Sequence, residues 1–174
     1  MIEVEVKARA DDQTIKKIKA LGAVFLAEEN HRDIYFNSPL RDFKKTDEAL
    51  RIRIKDEGSR LTYKGPKLDS ETKSRQELTV AIDSAERMEE VLCALGFAPA
   101  AEVKKRRTKY VLGDVTFALD DVFGLGLFVE IEARGEGDCG EQKARVLSLL
   151  SRLGLGESIR KSYLELLAEQ SKED

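Results

Sequence analysis

The chain has one histidine, two cysteines and no apolar run of membrane-spanning length, and each shortage excludes something. Cys93 and Cys139 stand alone, so they form neither a disulfide framework nor a Cys-x-x-Cys zinc site, and a reducing cytoplasm is the expected setting. A single histidine rules out a histidine-rich metal centre and leaves His31 as the only candidate for a Ser/His or Cys/His mechanism. Its position just before a short strand at 33–36 predicts a surface residue. No charged start leads into an apolar stretch of signal length, and no segment approaches the roughly 20 apolar residues of a membrane helix. A P-loop is absent too. Positive charge is not in excess either: the formal net charge is −3. A surface devoted to nucleic acid would be basic, so the arginines and lysines are expected to be concentrated in one place.

What the chain has in quantity is charge of both signs, 36% of its 174 residues, against an ordinary share of about a quarter. The opening stretch, Ile-Glu-Val-Glu-Val-Lys-Ala-Arg, alternates without a break. Glu3, Glu5, Lys7 and Arg9 share one face of a strand, and Ile2, Val4, Val6 and Ala8 the other. The same phase recurs at 49–55, where Arg51, Arg53 and Lys55 oppose Leu50, Ile52 and Ile54. At 75–82, Arg75, Glu77 and Thr79 oppose Leu78, Val80 and Ile82. At 128–134, Glu130 and Glu132 oppose Val129, Ile131 and Ala133. The apolar faces need cover, which predicts helices packed on them and charged faces turned toward one another or toward water.

Between these strands, Asp11 and Asp12 cap a helix carrying Ile15, Ile18 and Leu21, and Gly22 ends it. A polar loop is expected over 40–48, a hairpin at Gly58-Ser59, a short strand over 61–64 and a mobile loop over 67–74. Ser84 caps a helix with Met88, Val91, Leu92 and Leu95 inward. The most basic strand, 103–112, turns at Gly113-Asp114 into a strand over 115–122. Helices follow at 141–153 and 159–170, and the tail from Ser171 is expected to fray. One domain over 1–170 accommodates all of this. Three times a strand feeds a helix ending in Leu-Gly, at 3–22, 77–96 and 130–154. That repetition predicts two related halves facing each other, with strands curled into a barrel or tunnel.

Such a tunnel has chemical consequences. Glu3 and Glu5 are spaced roughly 6.7 Å apart along a strand, as are Glu130 and Glu132. Where those strands meet, four carboxylates converge, with Asp120 as a further oxygen donor. Mutual repulsion then demands protons or a cation, and hard oxygen ligands suit Mg²⁺ or Mn²⁺. Arg51, Arg53, Lys64 and Arg75 share the interior with some of the basic residues of 103–112; phase alone leaves open which. Buried cations need an anion, and a polyphosphate bridged to a metal satisfies both populations. Phosphoryl or nucleotidyl transfer uses this arrangement. A non-catalytic module binding polyphosphate or nucleic acid through residues 104–109 is the competing class.

At Glu3-Val-Glu5-Val-Lys7 the chain resembles the E-x-E-x-K signature of the CYTH superfamily, named for class IV adenylyl cyclases and thiamine triphosphatases. The resemblance continues through Asp33-Ile-Tyr-Phe36, Leu50-Arg-Ile-Arg53, Tyr63-Lys64-Gly65-Pro66 and Arg75-x-Glu77. It extends further through Lys105-x-Arg107-x-x-Tyr110, Leu119-Asp-Asp-Val122, Gly124-Leu-Gly126, Glu130-Ile-Glu132 and Ser162-Tyr163. It implies an α+β fold, an antiparallel closed β-barrel called a triphosphate tunnel, with helices packed outside. It also implies Glu3, Glu5, Glu130 and Glu132 as metal ligands and Arg51, Arg53, Lys64, Arg75, Lys105 and Arg107 as a phosphate cradle. Lys7 and Tyr35 would fill the catalytic places of the hydrolase branch. Asp33-Ile-Tyr-Phe36 and the stretch 119–126 resemble the cyclase branch, which implies conversion of ATP to cyclic AMP and pyrophosphate. The alternative is hydrolysis of thiamine triphosphate or inorganic tripolyphosphate. No nucleic-acid or membrane partner is expected, and a homodimer formed through an outer surface is left open.

Overall fold

A computed structural model describes residues 2–68, 75–133 and 139–171, without the side chains of Ile2, Glu3 and Cys139. In chain order these residues form β1 (Ile2–Arg9), α1 (Asp12–Ala20), β2 (Val24–Asn37), α2 (Phe43–Thr46), β3 (Ala49–Lys55), β4 (Gly58–Lys67) and β5 (Arg75–Ile82). They continue with α3 (Ala85–Ala94), β6 (Ala98–Leu112), β7 (Val115–Val122), β8 (Gly126–Ala133), α4 (Cys139–Arg152) and α5 (Tyr163–Gln170). All strand pairings are antiparallel, and the sheet curls through the order β1-β5-β4-β3-β2-β6-β7-β8 back to β1.

The closing seam is narrow. β1 meets β5 only through Ile2 with Gln76 and Glu3 with Arg75, so the expected closed barrel is a curled sheet with one short join. Farther along β1, the Lys7 carbonyl accepts a 2.6 Å hydrogen bond from the Ile159 N–H. The segment leading into α5 thereby joins the wall. Apart from α2, each half of the chain runs strand, helix, then three strands, and counterparts pair: β1 with β5, β2 with β6. Two related halves facing each other was the expectation, and the topology has that form.

Alternation explains why the sheet curls with its charges inward. Val4, Val6 and Ala8 of β1 and Val129, Ile131 and Ala133 of β8 face outward, under Ile18 of α1 and Val146, Leu149, Leu150 and Leu153 of α4. Burying each valine contributes about 1.5–3 kcal/mol. A second layer packs Ile34, Phe36, Leu50 and Ile52 against Leu92 of α3 and Phe43 of α2. Asp11 caps α1 by accepting from the Gln13 and Thr14 N–H groups, and Ser84 caps α3 through the Arg87 N–H. The Leu-Gly endings place Gly22 at φ 89° and Gly96 at φ 91°, left-handed conformations that end a helix without the penalty a Cβ would incur.

Several elements depart from the sequence expectation. β2 begins at Val24, far before residue 33, because it pairs with β6 over almost its whole length; no apolar alternation announces that part, and Val24, Phe25 and Leu26 are exposed. β4 runs from Gly58 through Gly65-Pro66 to Lys67, beyond the expected strand over 61–64, and absorbs Gly65-Pro66 in a register shift between Lys64 and Lys67. The loop over 40–48 contains a one-turn helix capped by Asp42. On α3, Leu92 is buried and Met88 half-buried, while Val91 and Leu95 are exposed. α5 starts at Tyr163, later than residue 159. Most of the expected mobile loop at 67–74 and most of the tail lie outside the described residues.

Candidate functional site

Cross-strand register carries the charged face around the ring. Glu5 stands opposite Glu132, and Lys7 opposite Glu130. Glu130 is matched to Ala118 on β7, and Asp120 to Arg107 on β6. Arg107 and Lys105 oppose Glu29 and His31 on β2, and Asp33 and Tyr35 oppose Arg53 and Arg51 on β3. Lys64 of β4 faces Glu77 of β5. Directly opposed residues lie on one face of a sheet, so this chain of partners defines a lumen.

The lumen holds a cavity of about 540 Å³ lined by Glu5, Glu130 and Glu132 and by all six expected cationic residues, Arg51, Arg53, Lys64, Arg75, Lys105 and Arg107. Tyr35 lines it as well, with Phe43 and Glu48 beside α2 and Ser162, Tyr163 and Glu165 at the start of α5. Lys7 is fully buried, its Nζ 4.1 Å from the centre of the Tyr163 ring. Glu3 stands in register with Arg75, and its side chain is outside the described set.

Two buried aspartates organise the cationic wall. Asp33 accepts from Arg53 Nε at 2.7 Å and Nη2 at 2.6 Å, and lies 3.6 Å from Arg51. Asp120 accepts from Arg107 Nε at 2.7 Å and Nη2 at 2.6 Å, from Lys105 Nζ at 3.2 Å and from the Tyr163 hydroxyl at 2.7 Å. Arg107 also reaches Glu130. Burial would raise both aspartates, but Arg51 and Arg53 around Asp33, and Arg107 and Lys105 around Asp120, outweigh it and hold both below the ordinary carboxylate range. Asp120, expected as a further oxygen donor to a metal, has its oxygens engaged by three side chains and is not among the residues lining the cavity. It fixes the wall instead.

Burial and the neighbouring Arg107 push Lys105 down to about 8. For Arg51, desolvation is outweighed by Asp33, Tyr35 and Glu77, so it stays charged with its pKa raised. Its Nε is buried without a hydrogen-bond partner among the described residues. Lys64 pairs with Glu77 at 3.0 Å and Arg75 with Asp47 at 3.5 Å.

His31 corrects another expectation. It is 4% exposed rather than superficial, and its Nε2 lies 2.6 Å from Glu29 Oε2. Glu29 also takes Lys109 and, at 3.1 Å, Lys55. Desolvation opposes its ionisation, yet the hydrogen bonds from Lys109, His31 and Lys55 lower it to about 2. Glu29, His31 and the anchoring part of Asp33 were missed because the strand was read as starting too late. The signal was a polar alternation, Glu29, His31, Asp33, Tyr35, with little apolar partner alternation to mark it. Tyr163 carried only its place in Ser162-Tyr163.

Among the described residues, no group of three or more His, Cys, Asp or Glu side chains is gathered closely enough to hold a metal ion. No helix among them is long and apolar enough to cross a membrane.

This lumen of opposed acids and bases belongs to a known family. The CYTH domain model matches residues 1–163, and the chain is a member of that family. A Methanocaldococcus jannaschii protein provisionally named adenylate cyclase is 42% identical over 173 residues, spanning 95% of this chain and 98% of its own. A Pyrococcus horikoshii protein of solved structure superposes with a TM-score of 0.87 at 44% identity, covering 97% of this chain and 99% of its own. The same fold, at TM-score 0.71 and 19% identity over 97% of this chain and 95% of its own, occurs in a Hippeastrum protein. That protein is provisionally named an adenylyl cyclase and described as having a dominant triphosphatase activity.

Proposed function

We propose that the lumen binds the triphosphate of a small molecule and that the protein is a metal-dependent, class IV adenylyl cyclase-like enzyme. The observation that carries the reading is Arg51: a buried, charged guanidinium with Nε unpartnered among the described residues, on a residue that lines a cavity walled by further cations. A buried N–H of a charged group left without an acceptor is costly, and a phosphate oxygen supplies one. Arg53 and Arg107, held by two hydrogen bonds each to Asp33 and Asp120, are fixed before an anion arrives, so little ordering cost falls on binding.

Across the lumen, Glu5 and Glu132 occupy opposed positions on β1 and β8. Like charges so placed repel, and carboxylate oxygens suit Mg²⁺ or Mn²⁺. Glu5 and Glu132, with Glu130 and Glu3, would hold that ion, which supplies charge neutralisation at the reacting phosphate. The cationic wall then stabilises the departing charge. For cyclisation, the 3′-oxygen of ATP bonds to the α-phosphorus, its proton leaves, and the bond to pyrophosphate breaks. Cyclase names among relatives favour this reading. The alternative, hydrolysis of thiamine triphosphate or tripolyphosphate, is favoured by the Hippeastrum protein's described activity and by Tyr35 lining the cavity, while Lys7 is fully buried and not among the lining residues. A cytoplasmic setting is part of this proposal.

Incubation with ATP and Mg²⁺ or Mn²⁺, followed by product separation, decides between them. Cyclic AMP with pyrophosphate is the expected outcome, orthophosphate supports hydrolysis, and neither product from any triphosphate defeats both. Replacing Glu130 and Glu132 together by Gln is expected to abolish turnover; unchanged rates would remove them from the metal site.

A further inference from the structure

One ring among the charged side chains of the lumen is neutral. His31 lines the cavity and is almost wholly buried. Its Nε2 faces the Glu29 carboxylate at 2.6 Å, and a carboxylate only accepts, so Nε2 carries the hydrogen. Desolvation and the nearby Arg53, with a lesser contribution from Lys105 and Arg107, hold the ring neutral by lowering its pKa to about 3, against the hydrogen bond to Glu29. Nδ1 is then a bare acceptor, buried, with no hydrogen-bond partner among the described residues. Of the cations acting on the ring, Arg53 gives Nε and Nη2 to Asp33, and Lys105 donates from Nζ to Asp120.

Phosphate oxygens cannot satisfy Nδ1, since they too are acceptors. It needs a donor, and an O–H or N–H on the organic part of a ligand is one. Resting on the reading of the lumen as a triphosphate site, we propose that His31 accepts, through Nδ1, a hydrogen bond from a ribose hydroxyl of a bound nucleoside triphosphate. His31 is thereby the residue that separates a sugar-bearing triphosphate from a bare polyphosphate chain. A site built around a buried acceptor rejects an analogue lacking the donor because the acceptor is then left unpaired.

Calorimetric titrations in EDTA, which withholds divalent cations, compare ATP, 2′,3′-dideoxy-ATP and tripolyphosphate on the wild type, His31→Asn and His31→Gln. Asn presents an amide oxygen near the place of Nδ1 and gives up the contact to Glu29. Gln presents an amide nitrogen near the place of Nε2, keeping that contact and giving up the acceptor. The wild type is expected to bind ATP about tenfold more tightly than the dideoxy compound. Asn should keep that preference, Gln should lose it, and tripolyphosphate should bind all three alike. Equal affinities of the wild type for the two nucleotides, a preference that survives in Gln, or one that disappears in Asn overturns the proposal. Tripolyphosphate that fails to bind the wild type both in EDTA and with Mg²⁺ supplied defeats the triphosphate reading and this inference with it. Tripolyphosphate that binds while hydroxyls go unread defeats the role of His31 alone.

Discussion

Lys105 is the residue whose charge is most sensitive to conditions. Buried beside Arg107 and braced by Asp120, its ammonium is pushed down to about 8. An anion binds the protonated form more tightly, so the bound state holds the proton to higher pH than the free state does. Affinity for tripolyphosphate is therefore expected to be full below pH 8 and to decline above it, by up to about tenfold per pH unit. Lys105→Arg should flatten that decline, and titrations between pH 7 and 9.5 check both. The sequence reading reached Lys105 and Arg107 only through family resemblance, because residues 103–112 carry charge on both faces of the strand. Arg51 and Arg53 needed no such help: leucine and isoleucine alternate with them, and the buried faces of Leu50 and Ile52 fix their phase. Asp33 and Asp120 were legible as residues but not as anchors, since a carboxylate in a strand does not announce which distant arginine it will meet.

At the scale of elements, the covering helices are unequal. α4 seals the outer face of β1 and β8, and Leu149, 6% exposed, sits in the middle of that contact. Leu149→Ala is expected to cost about 2–5 kcal/mol by leaving a cavity between helix and sheet. Leu95, at the C-cap of α3, is 64% exposed, and Leu95→Ala should change stability by no more than about 0.5 kcal/mol. Urea denaturation of the two variants measures the contrast. Helical periodicity alone marks both leucines as inward, and only the structure separates the buried one from the exposed one. β7, by contrast, was legible to the residue, because Gly113-Asp114 sets its start and the alternation of Phe117 and Leu119 sets its face. The first part of β2 was not, since its hydrogen bonds depend on β6, a long way off in the chain.

For the whole molecule, a net charge of −3 hides a strong internal separation. In the ring of strands, β1 and β8, which carry Glu5 and Glu132, lie diametrically opposite β3 and β2, which carry Arg51, Arg53 and Asp33. The lining is divided across the ring and not between the two halves of the chain, since β1 and β8 come one from each half. A phosphorus atom held between such walls has two non-bridging oxygens that are chemically identical in solution and inequivalent in this setting, one turned to guanidinium and the other to carboxylate. A triphosphate bound as proposed would thus have its phosphate oxygens told apart. Substituting sulfur for one of those oxygens should yield Rp and Sp isomers of ATPαS that differ in kcat/KM by an order of magnitude or more, while equal rates for the pair would mean that the substrate tumbles freely between the walls.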